Sequence, residues 1–479
     1  MSHLTPELDG AEALPPGASD IAILTADLKA HRPTYTKYRD YYDGEQPIRF
    51  AGEKLQHAFG EELAELVCNR VAPAIDAVAD RLYIQGFTTA SGAANKVADE
   101  IWRRNGMDRG HGELHIEALT AGDGYLLVWP DAEGKARMYV QRAEWIAVDF
   151  DYENPGELRV AAKAWALSDK RWRLNLYYRD RLEKYITHNA IDDAKVPDDA
   201  KLYEPFAEDG EAWPVMYDPA WTGTVPIFHF ANNGRTGEYG KSEVRALMSL
   251  QNRLNMTLAN LAIAEEFQSY RQRWATGLQP ILDPTTGKAI SPFTAGAGEL
   301  WVSTGEATKF GDFEAADLDM FGNTAEGHEI RMARTARIPL YHLLQAGAPE
   351  SGEGLKTAEE PFVKKVLDRM REFGPQHEAA MGHALKVEGT EPDARVNWAR
   401  AETRNEREFW ELGAIKREMG VSPQQILREY GYTDAEIEQF AQEIGEHTET
   451  MAGLAARAFA QGSAINERPA DSEGDEEAA

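Results

Sequence analysis

The segment Asn232–Glu243, NNGRTGEYGKSE, contains the residue types of a phosphate-binding loop. A strand-like run, VPIFHF, precedes it, and a long helical pattern follows Gly240, Lys241 and Ser242. In a P-loop the backbone amides wrap the phosphates, the lysine reaches the terminal phosphates and the hydroxyl binds magnesium. The chemistry that this segment suggests is therefore nucleotide binding, and with it ATP hydrolysis.

The glycine spacing of the segment opposes that interpretation. The P-loop pattern requires glycine at position 235, but Arg235 is there, and the nearest glycines are Gly234 and Gly237. In the sequence, no apolar strand ending in aspartate follows Ser242 to hold the magnesium ion. The spacing favours a glycine-rich turn that joins a strand to a helix.

Two other segments place metal-ligand residue types at short spacing. HGELH puts His111 and His115 on one helix face, but the zinc-protease motif needs glutamate directly after the first histidine, where Gly112 stands. DFDYENPGE, residues 149–157, has the acid spacing of a calcium loop, but Asn154 occupies the position that requires glycine. The second segment favours a solvated acidic turn between strands. The sequence predicts no catalytic residue, no metal site and no cofactor.

The composition indicates a folded and strongly acidic protein. The chain has 479 residues, of which 43% are hydrophobic, and a formal net charge of −29. Such a charge opposes ordinary nucleic-acid binding, but it suits a wall past which DNA slides without sticking. The sequence has no signal peptide and no apolar run long enough to cross a bilayer, so we expect cytosolic synthesis and no membrane partner. The single cysteine, Cys68, is expected to be a small buried hydrophobe in a helix.

The N-terminal half combines helices with closely spaced short strands. Helical patterns cover residues 20–42, 61–82, 96–104 and 111–120. A break is expected at Pro33 and a kink at Pro73. Later runs such as RWRLNLYY alternate apolar and polar residues, which predicts an antiparallel sheet. Residues 190–223 are acidic and proline-rich and predict a long loop.

Long helices dominate the second half. From Lys241 to Arg273 leucines recur at helical spacing, which predicts a helix about 45 Å long. A β and loop region, a weaker helix over 316–337 and a glycine-rich loop follow, and the next helix is expected over 355–373. Gly322 and Gly327 weaken the middle helix, so a later start for it stays open.

The C-terminal part shows clear helix punctuation. Ser422 and Thr433 each begin a capping box, which predicts the helices of a small helical domain. The last residues, Asp471–Ala479, hold five acids and no base and are expected to be disordered and solvated.

Several local sequences resemble, in order, those of the portal proteins of tailed bacteriophages. They are YYDGEQP, NRVAPAIDAVADRLYIQGF, IWRRNGMD, ALTAGDGYLLVW, GKSEVRALMSLQNRLN, ARIPLYHLL and SGEGLKTAEEPFVKKV. Each piece is short, but chance matches do not keep a common order along a chain. The resemblance covers roughly residues 20–445, the size of a folded region of several domains.

The resemblance implies an α+β portal-type fold with an α/β wing, a two-helix stem, a small β-containing clip, a long bent wing helix and an α-helical crown. A flexible N-terminus (1–19) would precede the wing and its antiparallel sheet (20–240). The remaining parts implied are the first stem helix (241–273), clip (274–314), second stem helix (315–338), tunnel loop (339–354), wing helix (355–400), crown (401–446), and a helical then acidic flexible tail (447–479).

The resemblance also implies which residues act. Residues expected to face DNA in a central channel are Gln345, Glu350, Ser351, Lys356, Arg331, Arg334 and Arg337. Residues expected on the clip, facing the terminase, are Lys288, Trp301 and Lys309. In this interpretation Gly240 and Ser242 form a turn and a helix start, and the ATPase is a partner rather than this chain.

The implied function is that of a structural, non-enzymatic ring at one capsid vertex of the virion, assembled in the host cytoplasm. Double-stranded DNA would pass through it during packaging and ejection, without sequence specificity. The implied partners are eleven further copies in a dodecamer, the terminase large subunit, major capsid and scaffold proteins, and a head-completion or adaptor protein. Two alternatives stay open: a P-loop-like packaging ATPase, and a capsid or adaptor protein without a DNA channel.

Overall fold

The structure is a computed structural model, and it describes most of the chain from residue 14 to residue 430. The described residues are 14–47, 68–89, 94–191, 195–208, 210–269, 273–277, 281–282, 284–287, 289–290, 307–312, 317–344, 352–402, 406–430, 432, 437 and 440–441.

The first helix, α1 (Ala18–Asp43), runs unbroken through Pro33, so the predicted break is wrong. Buried residues lie on both sides of the proline: Leu24 and Leu28 before it, and Tyr35 after it. Proline in a helix interior costs about 3 kcal/mol. Burying these large apolar side chains, at about 1.5–3 kcal/mol each, offsets that cost.

The second helix, α2 (Val71–Ala79), is shorter than the helix predicted over 61–82. Residues 68–70 are not helical, and residues 61–67 lie outside the described part of the chain. Because α2 begins at Val71, Pro73 falls in its first turn, where a missing N–H costs no hydrogen bond. The predicted kink at Pro73 is therefore wrong. Asn69 Oδ1 caps this start by accepting from Val71 N–H at 2.9 Å.

In the described part of the N-terminal half, the remaining α-helices and β-strands are two helices and ten strands. They are β1 (Ile84–Thr89), α3 (Asn95–Arg104), α4 (Met107–Ala121), β2 (Asp123–Pro130), β3 (Ala136–Gln141), β4 (Ile146–Phe150), β5 (Leu158–Ala166), β6 (Trp172–Tyr177), β7 (Arg181–Thr187), β8 (Tyr203–Pro205), β9 (Val215–Met216) and β10 (Ile227–Ala231). The helices predicted near α3 and α4 are confirmed. The loop predicted over 190–223 is partly wrong, because β8 and β9 lie within it and both pair with β7.

The strands form antiparallel sheets, as the alternating patterns predict. The largest sheet has the order β4-β5-β6-β7-β8, with β9 beside β7, and a smaller three-stranded sheet has the order β10-β2-β3. On β6 the side chains of Trp172, Leu174 and Leu176 point to a core that they share with Ile21 and Leu24 of α1. The opposite face of the larger sheet packs in part against the smaller sheet.

Two helices joined by short strands form the next part of the chain. They are α5 (Val244–Ser269), β11 (Arg273–Thr276), β12 (Ile281–Leu282), β13 (Ala289–Ile290), β14 (Lys309–Asp312) and α6 (Asp319–Ala336), with β11 paired to β14 and β12 to β13. α5 begins after the predicted Lys241, and α6 begins after residue 315, so the later start that Gly322 and Gly327 favoured is confirmed.

The longest helix, α7 (Gly352–Val387), has 36 residues and passes through Pro361 and Pro375. It extends beyond the predicted 355–373 at both ends, and its first turn takes in residues 352–354, which the sequence assigned to a loop. It continues because its apolar stripe continues, with Ala380, Met381, Ala384 and Leu385 buried. It packs against β10, β2 and the strand that follows it, β15 (Ala394–Trp398), which pairs with β1.

Two short helices follow β15 in the part of the chain that the structure describes: α8 (Glu406–Glu418) and α9 (Pro423–Tyr430). Ser422 Oγ accepts from Gln425 N–H at 3.2 Å, as the capping pattern predicts. Thr433 and residues 442–479 lie outside the described part of the chain. None of the helices in the described ranges is both long and apolar enough to cross a membrane. The α+β fold class predicted from the sequence is confirmed.

Candidate functional site: the α5–α6 helix pair and its base

The Gly-Lys-Ser segment lies between β10 and α5, and other parts of the protein occupy its backbone donors. Gly240 N–H donates to Asp123 Oδ1 at 2.7 Å. Lys241 N–H donates to the carbonyl of Asn232 at 2.6 Å. Asn232 Nδ2 in turn donates to the carbonyl of Lys241 at 2.6 Å. These amides have no capacity left to wrap a phosphate.

The hydroxyl of Ser242 is occupied as well. It donates to the carbonyl of Thr120 at 2.5 Å and accepts from Val244 N–H at 3.1 Å, which caps the start of α5. Gly240 sits against the chain after α4, where an added Cβ would meet the Gly122 carbonyl oxygen at 1.9 Å. Glycine is needed here for a close backbone approach. The segment is a packed turn with a helix cap, and this geometry opposes the P-loop alternative.

Asp123 anchors this turn from the first residue of β2. Its carboxylate, 1% exposed, accepts from Tyr35 Oη at 2.9 Å and from Gly240 N–H, and its Oδ1 lies 2.7 Å from His229 Nε2. Four neighbouring elements therefore meet at one buried carboxylate: α1, β2, β10 and the turn. Burial and the Asp123 charge raise the pKa of Tyr35 far above its usual range, so its hydroxyl stays a donor.

The helices α5 and α6 pack side by side through small and medium apolar side chains. The buried apolar residues on the two helices are Val244, Leu247, Leu254, Ala259, Ala325, Met332, Ala333 and Ala336. Close packing of alanines lets two helix backbones approach each other. The pair therefore packs as a helical hairpin whose two helices are joined through the short strands.

Polar side chains join α5 to the chain that precedes α2. Gln251 and Asn255 are both almost fully buried, and Gln251 Nε2 donates to the Cys68 carbonyl at 2.6 Å. Arg70 Nε donates to Glu329 of α6 at 2.5 Å. Cys68 is half-buried and lies outside any helix, so its predicted helical position is wrong. Its backbone, rather than its thiol, makes these contacts.

Two buried cations of α7 hold the base of the helix pair. The side chains of Lys365 and Arg369 are each 2% exposed. Lys365 Nζ lies 3.0 Å from Glu243 Oε2 and donates to the carbonyl of Ala336, the last residue of α6, at 2.8 Å. Arg369 Nη2 donates to Glu243 Oε1 at 2.8 Å, and its Nη1 donates to Glu372 at 3.0 Å. We call Glu243, Lys365, Arg369 and Glu372 the basal ion cluster.

The charges of this cluster stabilise one another. Burial alone would raise the pKa of Glu243, but Lys365 and Arg369 lower it to about 2. Burial lowers the pKa of Lys365, and the Glu243 carboxylate opposes that effect. One cluster thus fixes the start of α5, the end of α6 and the middle of α7 relative to one another.

The outer surface of α6 carries Arg331 and Arg334, and Arg337 is the C-cap residue that follows the helix; the sequence resemblance implied all three. Arg331, Arg334 and Arg337 are all exposed, and their helix turns its other side, including Met332 and Ala336, into the core. Within the described ranges none of the three arginines forms an ion pair. We call them the basic face of α6.

The structure describes only some of the other predicted channel and clip residues. Gln345, Glu350 and Ser351 lie outside the described residues, as do Lys288 and Trp301.

Two of the predicted residues belong to described elements. Lys356 lies near the start of α7, although its side chain is outside the described set. Lys309 is exposed at the first position of β14, where it pairs with Thr276 of β11.

The two histidines of HGELH take part in the core. His111 Nδ1 donates to the Met107 carbonyl at 2.6 Å, and His115 Nε2 lies 2.9 Å from His377 Nε2 of α7. Within the described residues no group of three or more His, Cys, Asp or Glu side chains is arranged to hold a metal ion.

The acidic segment at residues 149–157 forms a turn between β4 and β5, as predicted. Within this turn Asp151 Oδ1 accepts from the backbone N–H of Glu153 at 3.0 Å.

The basal ion cluster was missed by reasoning from sequence. The signal that could have found it is the pair Lys365 and Arg369, four residues apart on the face of α7 that carries Phe362, Val366 and Phe373. A cation on the apolar stripe of a helix requires a buried anion. The identity of that anion, Glu243, depends on how the chain folds back.

Comparison with known proteins identifies the family of this chain. Residues 21–450 match the model of the family described as phage portal protein, SPP1 Gp6-like. This match covers most of the chain, and the protein therefore belongs to the phage portal protein family.

Two relatives come from mycobacteriophages. The chain is 26% identical over 365 residues to the portal protein of Mycobacterium phage L5, a match to 72% of this chain and 70% of the relative. It is 24% identical over 359 residues to the portal protein of Mycobacterium phage D29, with the same two shares.

Two solved structures with which the chain was compared come from gene transfer agent particles. A chain from the virion of the native particle has a TM-score of 0.44 and 13% identity, with 78% of this chain and 94% of that chain covered. A chain from the neck of the native particle, computed with C12 symmetry, has a TM-score of 0.42 and 14% identity, with 80% and 94% covered.

Proposed function

We propose that this protein is the structural subunit of a closed ring at one vertex of a phage capsid, through which double-stranded DNA enters and leaves. The observation that carries the proposal is family membership over residues 21–450, combined with a helix pair, α5 and α6, clamped at its base. A ring that conducts DNA needs rigid elements held in one orientation. The basal ion cluster supplies that orientation here.

The basic face of α6 is our candidate for contact with DNA. Three exposed arginines without ion-pair partners in the described ranges can each contact a phosphate. The chain as a whole has a net charge of −29, which limits the affinity of any position for DNA. Few contacts on an acidic background favour passage over tight binding. Gln345, Glu350, Ser351 and Lys356, in or beside the segment that joins α6 to α7, are proposed to face the same channel.

The short strands between α5 and α6 are our candidate for contact with the terminase large subunit. Lys309 is exposed on β14, and Lys288 and Trp301 belong to the same stretch of the sequence, 274–314. We further propose contacts with major capsid and scaffold proteins during assembly, and with a head-completion or adaptor protein afterwards. Assembly would take place in the host cytoplasm, and the finished ring would be part of the virion.

The packaging ATPase would then be a partner of this chain. The turn at Gly240–Ser242 supports that division, because its amides and its hydroxyl are engaged within the protein. A capsid or adaptor protein without a channel is the remaining alternative, and particle shape distinguishes it from a ring.

The test is electron microscopy of the purified chain, with and without scaffold protein, together with particle mass from the same sample. We expect rings of about twelve subunits with a central opening wide enough for a DNA duplex. Particles without an opening in both samples would overturn the proposal in favour of the adaptor alternative. ATP binding that is lost in Lys241→Ala would instead favour the ATPase.

A further inference from the structure

Six side chains in and beside the larger sheet alternate between cation and aromatic ring. In order from β4 towards β8 they are Arg142, Trp145, Lys163, Trp165, Arg173 and Phe206. We call these six side chains the cation–aromatic ladder.

Each inner cation of the ladder lies between two rings. Lys163 Nζ is 6.0 Å from the centroid of Trp145 and 5.2 Å from that of Trp165. The guanidinium of Arg173 is 5.8 Å from Trp165 and 3.7 Å from Phe206. Strand register produces this order, since Trp165 and Arg173 are direct partners across β5 and β6. The rings orient the cations and keep bulk water from part of their surface.

The cations of the ladder have no carboxylate partner among the described residues. Arg142, Lys163 and Arg173 form no salt bridge and no side-chain hydrogen bond there, and Arg173 Nε is buried without an acceptor. Glu208 and Glu211 act on Arg173 only through longer-range attraction, and Glu211 is already paired with Lys184 at 2.6 Å.

This arrangement is unusual for a chain with so many acids. The sequence has 80 Asp and Glu against 51 Lys and Arg, so most cations of this chain are expected to find a carboxylate partner. A buried guanidinium nitrogen without an acceptor costs free energy unless a ligand supplies one. Lys163 lies 5.2 Å from the Trp165 ring and the Arg173 guanidinium lies 3.7 Å from the Phe206 ring, and the N–H donors of both side chains have no acceptor among the described residues.

We propose that the cation–aromatic ladder binds an acidic peptide segment of a partner protein. Carboxylates of the peptide accept from Lys163 and Arg173, and its backbone lies across Trp145 and Trp165. A short acidic peptide fits better than a nucleic acid because a long polyanion would extend beyond the ladder onto a protein of net charge −29. The proposal is independent of the ring and of its channel.

The test is fluorescence anisotropy with a labelled, end-capped octapeptide of alternating Asp and Glu, titrated with the full-length chain. The matched peptide of alternating Asn and Gln controls for charge. The protein variants are Lys163→Met and Arg173→Met, which keep an apolar side chain of similar length. Lys201→Met, which removes an exposed lysine elsewhere in the same region, is the matched control. Circular dichroism and melting temperature verify folding of each variant.

We expect the acidic peptide to bind and the neutral peptide not to bind. Lys163→Met and Arg173→Met should each weaken binding at least tenfold, the loss of one charge-assisted hydrogen bond, while Lys201→Met should stay within twofold. Equal affinity in all variants, or no binding by the wild type, would overturn the proposal. A labelled eight-nucleotide single strand that binds more tightly than the acidic peptide would assign the ladder to nucleic acid instead.

Discussion

The basal ion cluster makes a sharp prediction about one carboxylate. Glu243→Gln keeps the shape of the side chain but removes the negative charge between Lys365 and Arg369, which are each 2% exposed. Arg369 would then keep only the partly exposed Glu372, and Lys365 only the carbonyl of Ala336. We expect the variant to lose a large part of the stability of the α5–α6–α7 junction.

The stability lost in Glu243→Gln can be calculated in two ways. The pKa of Glu243 is lowered from 4.5 to about 2, which corresponds to about 3.4 kcal/mol at 1.36 kcal/mol per unit. Removing one partner of a buried ion pair costs about 3–5 kcal/mol in other proteins. The two values agree, so we expect a loss of about 3–4 kcal/mol. Because the pKa is lowered, this contribution is complete above pH 4.5 and is lost as pH falls towards 2.

The assay is urea unfolding followed by circular dichroism, with hydrogen exchange of peptides that cover residues 240–250 and 360–372. Glu372→Gln is the matched control, because Arg369 keeps Glu243 and the predicted loss is below about 1 kcal/mol. The double variant Glu243→Gln with Lys365→Met removes one orphaned cation and should recover about 1–2 kcal/mol. Equal and small losses in Glu243→Gln and Glu372→Gln would refute the reasoning.

Three further predictions concern the turn, the core histidines and the basic face of α6. Gly240→Ala places a Cβ 1.9 Å from the Gly122 carbonyl oxygen and should destabilise the fold by about 3 kcal/mol. The control variant Gly112→Ala, whose Cβ meets nothing within 4 Å, should be neutral or slightly stabilising. Similar melting temperatures for the two variants would contradict this prediction. Burial lowers the pKa of His115 to about 3 and of His383 to about 4. The stability that these neutral histidines contribute is therefore complete above about pH 6.5 and is lost as pH falls, by about 1.4 kcal/mol per histidine at pH 5.5. Urea unfolding at pH 7.5 and 5.5 measures this loss, and equal stability at the two pH values would contradict the prediction. Changing the three arginines of the basic face of α6 to Gln should reduce the salt dependence of DNA binding by about three phosphate contacts without changing ring assembly, and an unchanged salt slope would remove this face from the channel.

The sequence by itself determined the local elements and their order. Alternation in RWRLNLYY predicted an antiparallel strand, and β6 is one, with Trp172, Leu174 and Leu176 in the core. Helical spacing predicted α5, because one face of the helix had to be apolar. The ordered local similarities predicted the family, which the match over residues 21–450 confirms. These signals are local in the chain, so no tertiary knowledge is needed to detect them.

Tertiary structure decided the features that depend on distant partners. Pro33 looked like a helix break, but burial on both sides keeps α1 continuous. Lys365 and Glu243 lie 122 positions apart, and only the packing of α7 against α5 brings them together. The cation–aromatic ladder likewise exists only because strand register aligns residues from separate strands. Spacing along a chain encodes secondary structure, whereas a buried ion pair depends on the free energy of the whole packed core.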